Sequence, residues 1–289
     1  MDCGPFDLPL YTLFFYISTF VLSEFGELIV TIFLPTTPIV VVLGLFMLTS
    51  VYVLCLGYEV LARLSELMLP VVVLFNLVIY TLIYASGQAD FSQLKPVLAN
   101  GINPVLQATI PGIVNFPFGE IVVFLLYWSL VDRKTSMRPI SLAAIGISGV
   151  FIIVSTIMLI SVLGVEYASN ATFPFYDLVK IVNVMDILTN LDVVVVVVMF
   201  IGGFFKMTIY FGGGVLAVKS LFKIGNEKWI IVITGICTTW FTIVFYRSFP
   251  FQRWSGEIMD RNIQTFFQII CPALVLMILW VKSKLIPTR

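Results

Sequence analysis

The chain has few charged residues. Of its 289 residues, 11% are Asp, Glu, Lys or Arg, whereas 60% are hydrophobic and 15% are aromatic. A soluble globular domain carries roughly 25% charged residues, so this chain cannot cover a water-facing surface. The composition therefore excludes a soluble enzyme and predicts an integral membrane protein.

Histidine is absent from the sequence, and cysteine is scarce. The four cysteines lie far apart, mostly within apolar stretches: Cys3, Cys55, Cys237 and Cys271. Their spacing matches no metal-ligand pattern and does not indicate disulfide pairs, so we interpret them as small packing residues. Without histidine no nucleophile–base arrangement can be assembled, and we expect no enzyme activity, no catalytic residue, no metal and no cofactor.

The charges that are present cancel, with sixteen basic and sixteen acidic residues. Nucleic-acid-binding domains show a clustered excess of positive charge, so nucleic acid is not an expected partner. The sequence also contains no phosphate-binding loop, dinucleotide-binding glycine pattern or zinc-protease helix motif. The lipid bilayer is the partner that the composition predicts.

Long apolar stretches dominate the sequence. A hydrocarbon core about 30 Å thick needs roughly 20 apolar helical residues, and eight stretches qualify. They are continuous rather than alternating, which favours helices over a transmembrane β-barrel. We therefore predict an all-α polytopic membrane protein with a single transmembrane domain over residues 1–289. Its expected spans are about 8–33, 39–57, 67–86, 104–131, 139–165, 193–218, 229–246 and 263–281.

The basic residues between the spans predict the orientation. Across alternate connections, one side collects Arg63, Arg133, Lys134, Arg138, Lys219, Lys223, Lys228, Lys282, Lys284 and Arg289, and the other Lys95, Lys180, Arg247, Arg253 and Arg261. Cytoplasmic loops carry the excess of Lys and Arg, so we expect the first side, with the C-terminus, in the cytoplasm. The long connection on the other side could hold a short surface helix over residues 173–187.

One predicted span contains a break. Pro111 and Gly112 loosen span 104–131, and residues 115–119 (NFPFG) interrupt it at mid-depth, directly before Glu120. Proline lacks an N–H group and glycine tolerates unusual dihedrals. Unwound backbone at this depth is found where it is buried in protein or lines a cavity, and the N–H groups that start the second half-helix could receive an anion. The pattern predicts a ligand site, or else a proline kink in which Glu120 is a buried structural group.

Three other charged residues lie within predicted spans, where a charge is costly. Glu24 and Glu27 are three residues apart and share a helix face, while Gly26 between them permits close helix approach. They have either a functional role or a place near the membrane interface. Lys206 lies among glycines, which indicates close helix contact or a flexible segment. It needs a carboxylate partner, for which Glu120 and Glu27 are the candidates, or must reach an interface.

The order of these motifs resembles a known family. Five short motifs look like those of the B subunits of spore germinant receptors, the endospore germination permeases of spore-forming Firmicutes: SEFGE at 23–27, LPTTP at 34–38, ARLSELMLP at 62–70, NFPFGE at 115–120 and GGFFKMTIY at 202–210. That family is similar to the amino acid–polyamine–organocation transporters, whose leucine-transporter-like fold uses two inverted five-helix repeats. The resemblance implies a helical bundle in the spore inner membrane, with a substrate pocket where two broken helices face each other.

The resemblance also implies which residues line that pocket. The broken span is similar to the first helix of the second repeat, which places five residues at the pocket side of the break: Asn115, Phe116, Phe118, Gly119 and Glu120. Three spans precede this match where the family has five. The expected fold is therefore an eight-helix, leucine-transporter-like bundle lacking its first two helices, from an N-terminally truncated or misannotated chain.

The function that the resemblance implies is a receptor subunit. It would sense a small nutrient, with an amino acid as the expected germinant, and pass the signal to the other germinant-receptor subunits. Two alternatives remain open: a proton-coupled amino acid permease that uses carboxylates such as Glu120, and a structural membrane subunit that binds no ligand. Uptake of a labelled amino acid separates a transporter from a receptor.

Overall fold

The computed structural model describes residues 7–131, 134–181, 191–222, 225, 227–259 and 263–285. Within these residues every regular element is a helix. In chain order the α-helices are α1 (Asp7–Ile32), α2 (Ile39–Leu56), α3 (Tyr58–Ala85), α4 (Asn103–Ala108), α5 (Phe124–Tyr127), α6 (Met137–Leu163), α7 (Val165–Asn170), α8 (Pro174–Ile181), α9 (Leu191–Phe222), α10 (Glu227–Phe245), α11 (Phe249–Met259) and α12 (Cys271–Leu285). Five residues used in the sequence predictions lie outside the described part: Cys3, Arg133, Lys223, Arg261 and Arg289.

Seven helical segments of the described chain are long and apolar enough to cross a membrane. Each overlaps one of the first seven predicted spans, and the last predicted span contains a shorter apolar helix, Phe266–Ile278. The predicted all-α polytopic membrane fold is thereby confirmed. The predicted surface helix corresponds to α8 over residues 174–181, and the rest of its range lies outside the described residues.

The third predicted span, about 67–86, belongs to a longer helix. Helix α3 begins at Tyr58, directly after Gly57, whose φ of 116° ends α2 and turns the chain. The charged residues before position 67 do not end the helix. Arg63 and Glu59 pair at 2.7 Å across one helical turn, which supports helix at an exposed surface.

The centre of the bundle is the contact between α1 and α9. Fully buried side chains from both helices meet there, including Phe14 and Leu22 of α1 and Met207 and Phe211 of α9. The approach is close because a Cβ atom at Gly203 would lie 2.5 Å from the ring of Phe25. Of the two readings of the α9 glycines, the structure supports close helix contact, since α9 is one continuous helix.

The connections at one end of the bundle contact each other. This end, called the α11 end, carries α7, α8 and α11. The Nη2 atom of Arg253 in α11 donates to the carbonyl oxygen of Thr172 at 2.9 Å, and the rings of Phe173 and Phe249 lie 6.1 Å apart. At the opposite end, Lys219 of α9 pairs with Glu227 of α10 at 2.5 Å. The connections that contain these residues therefore lie at opposite ends of the bundle, as the alternation of the predicted spans requires.

Candidate functional site: a charged cavity beside the broken segment

The broken segment is interrupted where the sequence predicts. Helix α4 ends at Ala108 and is followed by a π-helical turn, Thr109–Ile113, in which Ile110 leaves helical geometry (φ −117°, ψ 115°). The chain turns at Phe116 and Pro117 and continues as a 3-10 helix, Phe118–Val123. The backbone is therefore unwound beside Glu120.

The second half of the segment differs from the expected half-helix. After the 3-10 helix come only four α-helical residues in α5, and then a second 3-10 turn, Trp128–Leu130. These turns follow one another without a gap, so the chain is helical from Phe118 to Leu130, and the anion site expected at its first N–H groups stays a prediction. Charged side chains beside the break are further candidates.

Lys206 is paired with Glu120. Its Nζ atom lies 2.9 Å from Oε1 of Glu120, and the two side chains are 29% and 15% exposed. The same ammonium lies 4.4 Å from the ring centroid of Phe116, within cation–π distance. One turn further along α9, the hydroxyl of Tyr210 donates to the carbonyl oxygen of Glu120 at 3.3 Å. Of the two carboxylates that the sequence offered to Lys206, the structure selects Glu120 and not Glu27.

The ion pair lines a small cavity of about 240 Å³. Its walls come from α1, the broken segment, α9, α11 and the turn before α12. The aromatic rings of Tyr16, Phe20 and Phe116 line it, together with five charged side chains: Glu24, Glu120, Lys206, Arg253 and Glu257. A concave site with apolar walls and a few convergent polar groups is the usual form of a small-molecule site.

The two glutamates of α1 have different environments. Glu24 lines the cavity, where it interacts electrostatically with the positive charges of Lys206 and Arg253. Glu27 does not line it, although both lie on α1. The close helix approach expected at Gly26 is confirmed, because a Cβ atom there would lie 2.5 Å from the Leu43 side chain of α2.

The five residues implied as pocket residues do not share one cavity. Phe116 and Glu120 line the charged cavity. Asn115 and Phe116 line a second cavity of about 690 Å³ between the broken segment and α11, and Asn115 donates from Nδ2 to Oγ1 of Thr265 at 2.6 Å. Phe118 and Gly119 line a third, mainly apolar groove of about 990 Å³ between the broken segment, α6 and α12. The residues around the break thus line three cavities.

Sequence reasoning missed several residues of the cavity, among them the polar side chains of Arg253, Glu257 and Gln264. Arg253 entered the sequence interpretation only as a loop charge that indicates orientation. Arg253 and Glu257 are four residues apart in α11 and therefore share a helix face, which is a signal available from sequence. Their proximity to Glu120 depends on how α11 packs against the bundle, and local sequence patterns do not predict this packing. Within the described residues, no three His, Cys, Asp or Glu side chains are grouped to hold a metal ion.

These features define a class of protein: a polytopic helical membrane protein in which a broken segment and an intramembrane ion pair line a small charged cavity. The family model of the spore germination proteins matches residues 4–250 of the chain. The chain therefore belongs to the spore germination protein family.

Individual relatives agree with this assignment. Spore germination protein KB of Bacillus subtilis is 32% identical over 278 residues, which cover 95% of this chain and 74% of the relative. Putative spore germination protein YfkT of the same organism is 25% identical over 95% of this chain and 74% of its own length. Spore germination protein XB of Bacillus anthracis is 24% identical over 71% of this chain and 56% of its own length. No solved structure matches the chain.

Proposed function

We propose that this chain is the membrane subunit of a germinant receptor in the spore inner membrane, and that it senses a small nutrient, an amino acid. The observation that carries the proposal is the cavity in which Lys206 and Glu120 pair at 2.9 Å. Family membership supports a role in germination, and the cavity supplies a place where a nutrient could bind. The other germinant-receptor subunits are the proposed partners.

The size and charge of the cavity favour an amino acid. Pockets for drug-sized ligands measure about 300–1,000 Å³, so a cavity of about 240 Å³ suits a smaller compound. Its lining carries both signs of charge, as does a zwitterion. An intramembrane ion pair is costly to maintain and marks a functional site, and an ammonium or carboxylate from the ligand would compete for its partners.

We assign the implied pocket residues two kinds of role. Phe116 and Glu120 would contact the ligand directly, together with Glu24 and Lys206, because all four line the cavity. Asn115, Phe118 and Gly119 would hold the broken segment in place. In the orientation that places the C-terminus in the cytoplasm, the α11 end faces outward, and nutrient would enter from that side.

A proton-coupled amino acid permease is the second candidate. Glu24 favours it, because this carboxylate lines the cavity and forms none of the ion pairs within 4.0 Å among the described residues. Intramembrane carboxylates serve as proton relays in transporters. Accumulation of a labelled amino acid would support the permease.

The test uses spores in which this chain and its partner subunits form the sole receptor. Germination and uptake are measured with each of the twenty proteinogenic L-amino acids. We expect at least one of them to trigger germination without accumulating in vesicles that contain the protein. If no amino acid triggers germination, sensing of an amino acid is contradicted, and a subunit that binds no ligand becomes the better account.

Two variants connect the response to the site. Glu120→Gln removes one partner of the intramembrane pair, and we expect a weaker response at limiting amino acid with the protein still in the membrane. Glu59→Gln is the matched control, because it breaks the Glu59–Arg63 pair, whose side chains are both 76% exposed; water screens such surface pairs, and they contribute little. Equal responses from the two variants would argue against the cavity.

A further inference from the structure

Arg253 lies at the mouth of the cavity, at the α11 end. Its Nη2 atom donates to the carbonyl oxygen of Thr172, and its Cζ atom lies 5.1 Å from the ring centroid of Phe249. A guanidinium has five N–H donors in a planar fork that matches a carboxylate. None of the three ion pairs in the described part of the chain includes Arg253, so most of its donors are available.

Lys206, the other cation of the cavity lining, is differently placed. Its ammonium already contacts Oε1 of Glu120 and the ring of Phe116. A ligand carboxylate bound there would have to compete with Glu120 for an ion pair. At Arg253 the direct contacts are to a neutral carbonyl and a ring, and Glu24, whose charge interacts with Arg253, forms no ion pair with it. The geometry therefore favours Arg253 as the group that receives an anion.

Helix α11 holds Arg253 in a fixed position. The buried side chain of Gln252 donates from Nε2 to the carbonyl oxygen of Phe20 in α1 at 2.9 Å. Gly256 lies against the same residue, since a Cβ atom there would lie 2.8 Å from the Phe20 ring. Two contacts with α1 thus fix α11, and the contacts with Thr172 and Phe249 orient the guanidinium before a ligand arrives, which lowers the entropic cost of binding.

The acidic groups give the ligand a direction. The cavity lining carries three carboxylates, Glu24, Glu120 and Glu257, and two cations, Lys206 and Arg253. This excess of one carboxylate complements an ammonium group. Glu24 and Glu120 lie on the membrane-spanning segments, whereas Arg253 and Glu257 lie on α11, so an ammonium held near Glu24 and Glu120 leaves a carboxylate on the side of Arg253.

We propose that Arg253 recognises the carboxylate of the ligand at the mouth of the cavity, while the ligand's ammonium points inward to Glu24 and Glu120. This inference rests on the proposed function, because it concerns the same cavity and an amino acid as its occupant. It makes Arg253 a specificity-determining residue. A free carboxylate becomes a requirement for binding, so an amino acid and its carboxamide differ sharply in affinity.

The experiment measures equilibrium binding to the full chain in lipid nanodiscs. The probes are the twenty L-amino acids and the twenty corresponding amino acid carboxamides. For wild type we expect one or more amino acids to bind about 10- to 100-fold more tightly than their carboxamides, the factor for a hydrogen bond to a charged group. Arg253→Gln should lower the amino acid affinity by a similar factor and bring the ratio close to one. Arg253→Lys keeps the charge and should retain part of the discrimination.

Arg247→Gln is the matched control, because Arg247 belongs to the same end of the bundle but does not line the charged cavity. Its affinities should equal those of wild type. If Arg253→Gln discriminates between the acid and the amide as wild type does, the role of Arg253 is wrong while amino acid sensing stands. If wild type binds none of the twenty amino acids, the proposed function fails, and the role of Arg253 fails with it.

Discussion

The α1–α9 interface and the broken segment are built in opposite ways. In the most apolar parts of α1 and α9, 56% and 44% of the residues are buried inside the protein, against 17% in the most apolar part of the segment Asn103–Leu130. Helices α1 and α9 are continuous and interlock through small and aromatic residues. The broken segment changes between α-, π- and 3-10-helical geometry and has few fully buried side chains.

The difference indicates that one region is rigid and that the other can change conformation. Close packing makes α1 and α9 a rigid frame, because packed interiors do not deform continuously. Fewer buried side chains stabilise the broken segment, so a change in its conformation on ligand binding costs less free energy. The ion pair joins the two regions, with Lys206 on the frame and Glu120 on the segment, so the cavity lies where a ligand could bias one region against the other.

The largest expected effect comes from crowding the broken segment. A Cβ atom at Gly119 would lie 2.7 Å from Oε1 of Gln268 and 2.9 Å from the carbonyl oxygen of Val114. Gly119→Leu must therefore displace the start of the 3-10 helix that carries Glu120, and we expect loss of the germination response. Germination at saturating amino acid, with membrane levels measured by immunoblot, checks this.

Gly112→Leu is the control for that variant. Gly112 lies in the same segment, and a Cβ atom there has no neighbour within 4 Å, so the response should be retained. A normal response from Gly119→Leu would show that the start of the 3-10 helix tolerates displacement. The position of the broken segment would then not control the germination response.

A smaller effect is expected from crowding the frame. Gly203→Ala places a Cβ atom 2.5 Å from the Phe25 ring, and overpacking of this kind costs about 1–3 kcal/mol. The adjacent Gly202 has open space around it, so Gly202→Ala should leave stability unchanged or raise it by up to about 1 kcal/mol through helix propensity. Thermal unfolding in detergent separates the two. Equal midpoints for both variants would mean that α1 and α9 are not the tightly packed frame.

Much of the fold could be predicted from the sequence, because membrane spans are long apolar stretches whatever their tertiary contacts. The break at residues 115–119 was also predictable, since proline and glycine change local backbone geometry directly. The partner of Lys206 was narrowed to Glu120 or Glu27 but not chosen. That choice depends on which segment packs beside α9, and the charge pattern does not contain this information.

Two features of the site required the structure. The start of the second half-helix was expected to be α-helical, whereas the chain forms a 3-10 helix from Phe118. Arg253 looked like an ordinary loop charge, because its place at the cavity follows from the contacts of Gln252 and Gly256 with Phe20. Both are tertiary effects that local sequence patterns do not specify.

The central claim is that the cavity beside the Lys206–Glu120 pair is reached from water and occupied by an amino acid. The most direct measurement is the reaction of a cysteine in the cavity wall with a charged, water-soluble thiol reagent. Ile17→Cys introduces one at a buried position that lines the cavity, in a chain whose four native cysteines are replaced by alanine. Ser169→Cys, on the exposed surface of α7 at the α11 end, is the control. We predict that the cysteine at position 17 reacts, and that an amino acid which triggers germination slows this reaction but not that at position 169. Reaction at position 17 at the same rate with and without that amino acid would contradict the account.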